Sequence, residues 1–168
     1  MKTLTEHLTQ YAAYHRDRRN IITHFIGIPL IVVAVAILLS RPSLPLYGLW
    51  LSPAAVVAAI AAVFYVRLDL RLGITMCLLL ALCLWIGMHC AQLPTGGWLF
   101  WSLGSFILGW IIQFAGHLVE GRKPAFIDDM MGLAIGPLFV VAEFAFLCGL
   151  RKELELAIEM QLGPRSNK

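Results

Sequence analysis

The sequence predicts an all-α integral membrane bundle: four transmembrane helices plus a re-entrant or interfacial fifth apolar segment, in one domain spanning 1–168. Three observations carry this. Hydrophobic residues make up 60% of the chain and charged ones 14%. The mean hydropathy of +0.79 exceeds what a soluble core requires. Four stretches are near the ~20 apolar residues that cross a bilayer core as a helix, too long and too uniformly apolar for strands of a small barrel.

In chain order, residues 1–20 read as an amphipathic N-terminal segment, with Leu4, Leu8 and Tyr11 on one stripe. Lys2, Arg16, Arg18 and Arg19 precede the first apolar run, the pattern of a signal anchor rather than a cleavable leader. The expected spans are Ile21–Ser40, Leu46–Val66, Gly73–Ala91 and Trp98–Phe114. A fifth stretch, Met130–Leu150, contains Gly136-Pro137 and Glu143, and Arg151-Lys152 follow it. A full crossing would place the C-terminal basic residues outside, so a half-inserted segment bent at the Gly-Pro step is expected. The membrane bundle then covers 21–150, and 151–168 forms an amphipathic tail with Leu154, Ile158 and Leu162 at four-residue spacing.

Orientation follows from lysines and arginines in short loops. The N-terminal segment, the loop at Arg67 and Arg71, and the loop at Arg122 and Lys123 are basic, whereas the other two loops hold only Arg41. Both termini are therefore expected in the cytoplasm, of a bacterial inner membrane or the endoplasmic reticulum. The net charge of +3 matches this bias and attraction to anionic headgroups. No basic domain with interleaved aromatics, phosphate-binding glycine loop, dinucleotide fingerprint or nucleophile elbow is present. Nucleic acid is not an expected partner. Cys77, Cys83, Cys90 and Cys148 form no CxxC pair and read as small hydrophobes.

Chemistry-bearing residues collect in two clusters, Tyr14–His24 and Gln113–Glu120. Span one begins near Asn20 on the cytoplasmic side and span four ends near His117 on the same side. His15, His24 and His117 therefore fall at one membrane depth. Gln113, His117 and Glu120 share a helical stripe, and Asn20 and His24 are also four apart. Three imidazoles with a nearby carboxylate and no thiolate suit zinc or non-haem iron. Asn20 is alternatively an N-cap for span one, and Glu120 a partner for Arg122 or Lys123. His7 and His89 read as bystanders, His89 about 25 Å away if span three crosses fully. Glu143, ~16 Å along a helix starting at Gly132, reads as an outer acceptor for a ligand histidine or a partner for a buried arginine.

These residues resemble a known family: small membrane proteins similar to the 2-hydroxy fatty acid dioxygenase of sphingoid-base degradation. The matching positions are Tyr14-His15, Asn20, His24, Gly27, Pro29-Leu30, Gln113, Gly116-His117, Glu120, Arg122, Pro124-Ala125, Gly136-Pro137 and Glu143. Some members carry a second histidine where this chain has Arg16. The resemblance implies an Fe2+-dependent dioxygenase that α-oxidises a 2-hydroxy fatty acid to the acid one carbon shorter plus carbon dioxide. It implies His15, His24 and His117 as iron ligands, and functional positions at Glu120 and Asn20. The substrate carboxylate calls for a cation; Arg16, Arg19, Arg122 and Lys123 are the nearest by sequence, with Arg122 the preferred contact and Arg19 the second. The conversion is a four-electron oxidation matching one O2, so no reductase partner is expected. Two other classes compete: a zinc-dependent membrane lipid hydrolase with Glu120 as general base, and a non-catalytic scaffold or small transporter.

Overall fold

Local signals start most helices. Thr3 and Glu6 close a reciprocal capping box, Glu6 N–H on Thr3 Oγ1 at 3.3 Å and Thr3 N–H on Glu6 Oε2 at 2.6 Å, which starts α1 (Leu4–Ala12). Asp17 starts α2 (Arg18–Leu39): its side chain accepts from Arg19 N–H at 2.7 Å and its carbonyl from Ile21 N–H at 3.1 Å. The N-cap considered for Asn20 therefore belongs to Asp17. Ser52 caps α3 (Pro53–Leu68), with Pro53 in the first turn, and Asp69 caps α4 (Leu70–Cys90). The long α5 (Thr95–Glu120) follows, then a 3₁₀ turn at Ala125–Ile127, α6 (Met131–Leu147) and α7 (Lys152–Leu162). This computed structural model describes residues 2–46 and 49–163. The expected tail beyond 163, and residues 47 and 48 of the expected second span, lie outside the described residues.

The architecture is helical, with one short antiparallel hairpin, β1 (Leu44–Leu46) on β2 (Leu49–Leu51), Leu44 opposite Leu51. Three helices, α2, α4 and α5, are long and apolar enough to cross a membrane, and the bent pair α6–α7 counts as a fourth if it is one span. The expected second span is shorter than its apolar run, because the hairpin takes Leu44–Leu51 and leaves the 16-residue α3. Exposed apolar side chains such as Leu78, Phe100 and Ile107 are those of a membrane protein, since lipid contact carries no hydrophobic cost.

The chain divides into two compact units, 2–28 with 111–163, and 29–110. In the second, α3 and α4 pack closely at Gly73, where a Cβ would stand 2.6 Å from Val66 Cα. Gly87 on α4 similarly meets the Ala36 carbonyl, at 2.8 Å from a built Cβ. The Arg41 guanidinium donates to the carbonyls of Ala91 and Leu93, which follow α4, and lies 4.9 Å over Trp98. Trp98 Nε1–H in turn donates to Ile37 O at 2.8 Å.

In the first unit, Leu8, Tyr11, Leu138, Phe139 and Ala142 are buried where α1 meets α6, and Leu154 and Ile158 are buried on α7, which packs on α1. The sequence expectation of a bend at Gly136-Pro137 is corrected here. α6 runs through Pro137, and the chain turns by 109° between α6 and α7. Gly149, at φ +74°, supplies the left-handed step, with Gly149 N–H on Phe146 O and Leu150 N–H on Ala145 O. That pair of bonds is a Schellman stop, which ends a helix more sharply than an internal proline kinks one. Tyr14 and Lys123 both bond Asp128, at 2.7 and 2.5 Å, and Gln10 bonds Asp129, tying the end of α1 to the 3₁₀ segment.

Candidate metal centre

All three histidines named from the sequence come together in the first unit. His15 sits in the link between α1 and α2, His24 in the second turn of α2, and His117 in the last turn of α5. Their ring centroids are 4.3 to 5.0 Å apart. One nitrogen from each ring lies within 4.8 Å of the other two, and all three residues are buried.

The backbone fixes the tautomers of two rings. His15 Nδ1 lies 2.8 Å from Tyr11 O, and His24 Nδ1 lies 2.8 Å from Asn20 O. A carbonyl only accepts, so both Nδ1 atoms carry the hydrogen and both Nε2 atoms present lone pairs. Those Nε2 atoms face each other at 2.9 Å. Two lone pairs at that distance repel unless a proton or a cation lies between them. Burial, and next the neighbouring His24, push the His15 pKa down to about 2, so a proton is disfavoured at neutral pH. A metal ion bonded by both nitrogens would resolve the repulsion. Two nitrogens bonded at ~2.1 Å at right angles to one ion stand about 3.0 Å apart, close to the spacing present. His117 Nδ1 is buried with no hydrogen-bond partner among the described residues, as is Gln113 Oε1 one turn earlier. Nitrogen donors without thiolate fit iron(II) or zinc. Of the cysteines, three lie on α4 and Cys148 ends α6.

The surroundings hold these rings in place. Tyr11 stacks on His15 at 4.2 Å and 5°, and Phe139 backs both rings at 4.8 and 5.6 Å. Gly116 allows α5 to abut the start of α2: a Cβ there would collide with Thr23 Oγ1 and Asn20 Oδ1. Neither Tyr11 nor Phe139 was singled out for the site from sequence. Tyr11 had a signal, four residues before His15, which puts its carbonyl in reach of the ring.

Glu120 points neither to Arg122 nor to Lys123. Its Oε1 accepts from Arg16 N–H at 3.0 Å, and its Oε2 from Asp17 N–H at 2.8 Å and Asn20 Nδ2 at 3.2 Å. Asn20 thus faces Glu120 with its side chain and His24 with its carbonyl, and it is fully buried. Arg122 is exposed and donates from Nη1 to Ala13 O, just past the end of α1. Arg19 is exposed in the first turn of α2. Glu143 is buried on α6 in the same unit. His7 lies on α1, outside the triad, and His89 belongs to the other unit.

Comparison with known proteins bears on the family of the chain. The family model described as 2-hydroxy-palmitic acid dioxygenase Mpo1-like matches residues 1–147. A relative from Saccharomyces cerevisiae, the 2-hydroxy-palmitic acid dioxygenase MPO1, is 34% identical over 162 residues, covering 95% of this chain and 89% of its own. No solved structure matches the chain. With a match over nearly its whole length, the chain belongs to the Mpo1-like family.

Proposed function

We propose that this protein is an iron(II)-dependent dioxygenase that converts a 2-hydroxy fatty acid and O2 into the fatty acid one carbon shorter, carbon dioxide and water. The observation that carries the metal reading is the pair of Nε2 lone pairs facing each other at 2.9 Å beside a third buried imidazole, and a reaction that reduces O2 favours iron over redox-inert zinc. Family membership supports the substrate class. Atoms and electrons balance: the acid loses four electrons and O2 accepts four, so no reductase, nicotinamide or flavin enters.

His15, His24 and His117 would hold the iron, which supplies oxygen activation and a Lewis-acid seat for the hydroxy acid. The chain's own residues do the rest. Tyr11 O and Asn20 O keep the imidazoles in the tautomer that presents Nε2. Tyr11 and Phe139 wall one side of the His15 ring against water. Arg122 is the proposed receiver of the substrate carboxylate. One of its five N–H donors rests on Ala13 O, two residues before His15, and Arg19 is the second candidate. The substrate tail lies in lipid. In the proposed topology α2, α3, α4 and α5 cross the bilayer, α6 is half-inserted, α7 lies along the membrane surface, and both termini are cytoplasmic.

The hydrolase alternative needs Glu120 as a free base toward metal-bound water, yet both of its oxygens already accept hydrogen bonds. Metal analysis of detergent-purified protein, with oxygen uptake on adding a 2-hydroxy fatty acid, tests the proposal. The expected result is about one iron per chain and oxygen consumption matched by carbon dioxide. Stoichiometric zinc with turnover under anaerobic conditions would overturn it.

A further inference from the structure

We infer that Glu120 is the positioning residue of the three-histidine centre, a carboxylate that locks the other two histidines to the helix bearing His117. It is neither a ligand nor a proton-transfer group. The inference rests on the iron reading above and concerns how that site is held.

Glu120 lies three residues after His117, at the very end of α5. Its two oxygens receive three donors from a segment about a hundred residues away in sequence. Two of the donors are the backbone N–H groups of Arg16 and Asp17, which directly follow His15. The third is the Asn20 amide, and the carbonyl of the same Asn20 orients His24 through Nδ1. One side chain therefore branches to both partner histidines. The link between α1 and α2 contains no helix to hold His15, so its backbone donors need an outside acceptor. A carboxylate is the strongest one available, and its charge also complements the N-terminal end of the α2 dipole. Gly116, one residue before His117, lets the two helices come close enough for this reach.

Substituting Glu120→Gln keeps shape but places an NH2 against at least one N–H donor in either amide orientation, because both oxygens are acceptors. Iron(II) binding to wild-type and variant protein in detergent, measured anaerobically against a chromogenic chelator, is the test. The variant is expected to reach wild-type stoichiometry at saturation, with affinity 10–100-fold weaker, the usual cost of losing an outer partner of a metal ligand. At saturating iron its pH–activity profile should keep the wild-type shape. Loss of stoichiometry at saturation would make Glu120 a ligand. Wild-type affinity, with or without a reshaped pH profile, would remove the positioning role. If Glu120→Gln does not fold, Asn20→Ala, which cuts only the branch to His24, must itself weaken iron binding several-fold. Wild-type affinity in that variant overturns the inference. Where both fold, the double variant should bind no more weakly than Glu120→Gln alone, since Asn20 acts through the same carboxylate, and additive losses count against the clamp. A wild-type protein that takes up no iron would defeat the metal reading instead.

Discussion

His89 and His15 are built from the same local parts. His89 Nδ1 lies 2.9 Å from the carbonyl four residues back, and its ring packs on the side chain of that residue, Trp85, at 4.5 Å. His15 does the same with Tyr11. His89 is nevertheless exposed on α4, whereas His15 is buried with two further imidazoles against it. The pattern repeats in the arginines and glycines of the two units. Arg41 donates to carbonyls past the end of α4 and Arg122 to the carbonyl past the end of α1. Gly87 and Gly116 each abut a hydroxyl, of Ser40 and of Thr23, and Gly116 meets the Asn20 amide oxygen as well. The local motif is thus the general means by which this chain satisfies backbone groups at helix ends. Convergence of several such motifs, with their free nitrogens turned inward, distinguishes the centre.

The comparison breaks most sharply at the histidines. Alanine at His15, His24 or His117 is expected to lower activity by at least ~10³-fold and abolish stoichiometric iron, since outer partners cannot replace a missing nitrogen donor. His89→Ala and His7→Ala should retain most activity and all of the iron. Kinetics and metal content of the five variants check this. Equal losses across all five would mean that general destabilisation, not ligation, explains them.

Glycines give the next largest contrast. Gly116→Ala drives a methyl group into Thr23 and Asn20, an overpacking that costs about 1–3 kcal/mol and displaces the residue relaying Glu120 to His24. Lower melting temperature and lower iron occupancy are expected together. Gly104→Ala, on the same helix with open space around it, should leave both unchanged. Calorimetry and metal analysis of this pair would expose a site that tolerates a shifted α5.

Sequence made the helices readable through unbroken apolar runs, and charge bias with span order was enough to bring His15, His24 and His117 to one depth. What it missed has particular causes. Apolarity alone does not separate a hairpin strand from a helix, so Leu46 and Leu49–Leu51 were expected in the second span, although Ser52-Pro53 carried the start signal of α3. The bend was expected at Gly136-Pro137 and not at Gly149, because a glycine after an apolar run is a weaker cue than a helix-interior proline. Glu120 was visible as a polar residue beside His117. Its partners were not, since nothing at position 120 reports that backbone groups at 16 and 17 lie against it.

Acidification gives a smaller and graded effect on the metal-free protein. Burial holds the His15 pKa far below its ordinary 6.5, at about 2. An unfolded chain takes up that proton below pH ~6.5, while the folded one does not until near the lower value. Stability is therefore undiminished above pH ~6.5 and falls by up to about 1.4 kcal/mol per pH unit as pH drops below it. Thermal unfolding of metal-stripped protein between pH 7.5 and 5, against His15→Phe, isolates this contribution. The variant should lose one proton's worth of slope. Identical slopes for wild type and His15→Phe would show that His15 is charged in the folded state, and the lone-pair argument for a metal would fail with it.

The smallest expected effect separates the two arginines. Among the described residues, Arg41 bonds backbone carbonyls, Thr95 and the Trp98 face, a purely structural set. Arg122 donates to Ala13 O, which leaves its exposed guanidinium further donors for the carboxylate of the proposed substrate. Arg122→Lys keeps the charge but removes the planar fork that grips two oxygens at once. Losing one of two such hydrogen bonds to a charged group, at about 1.5 kcal/mol, should raise KM roughly tenfold, with kcat and iron content nearly unchanged. Arg41→Lys should alter thermal stability and leave KM where it is. Wild-type KM in Arg122→Lys would assign Arg122 to the same structural class as Arg41, with the carboxylate then held by the metal and Arg19.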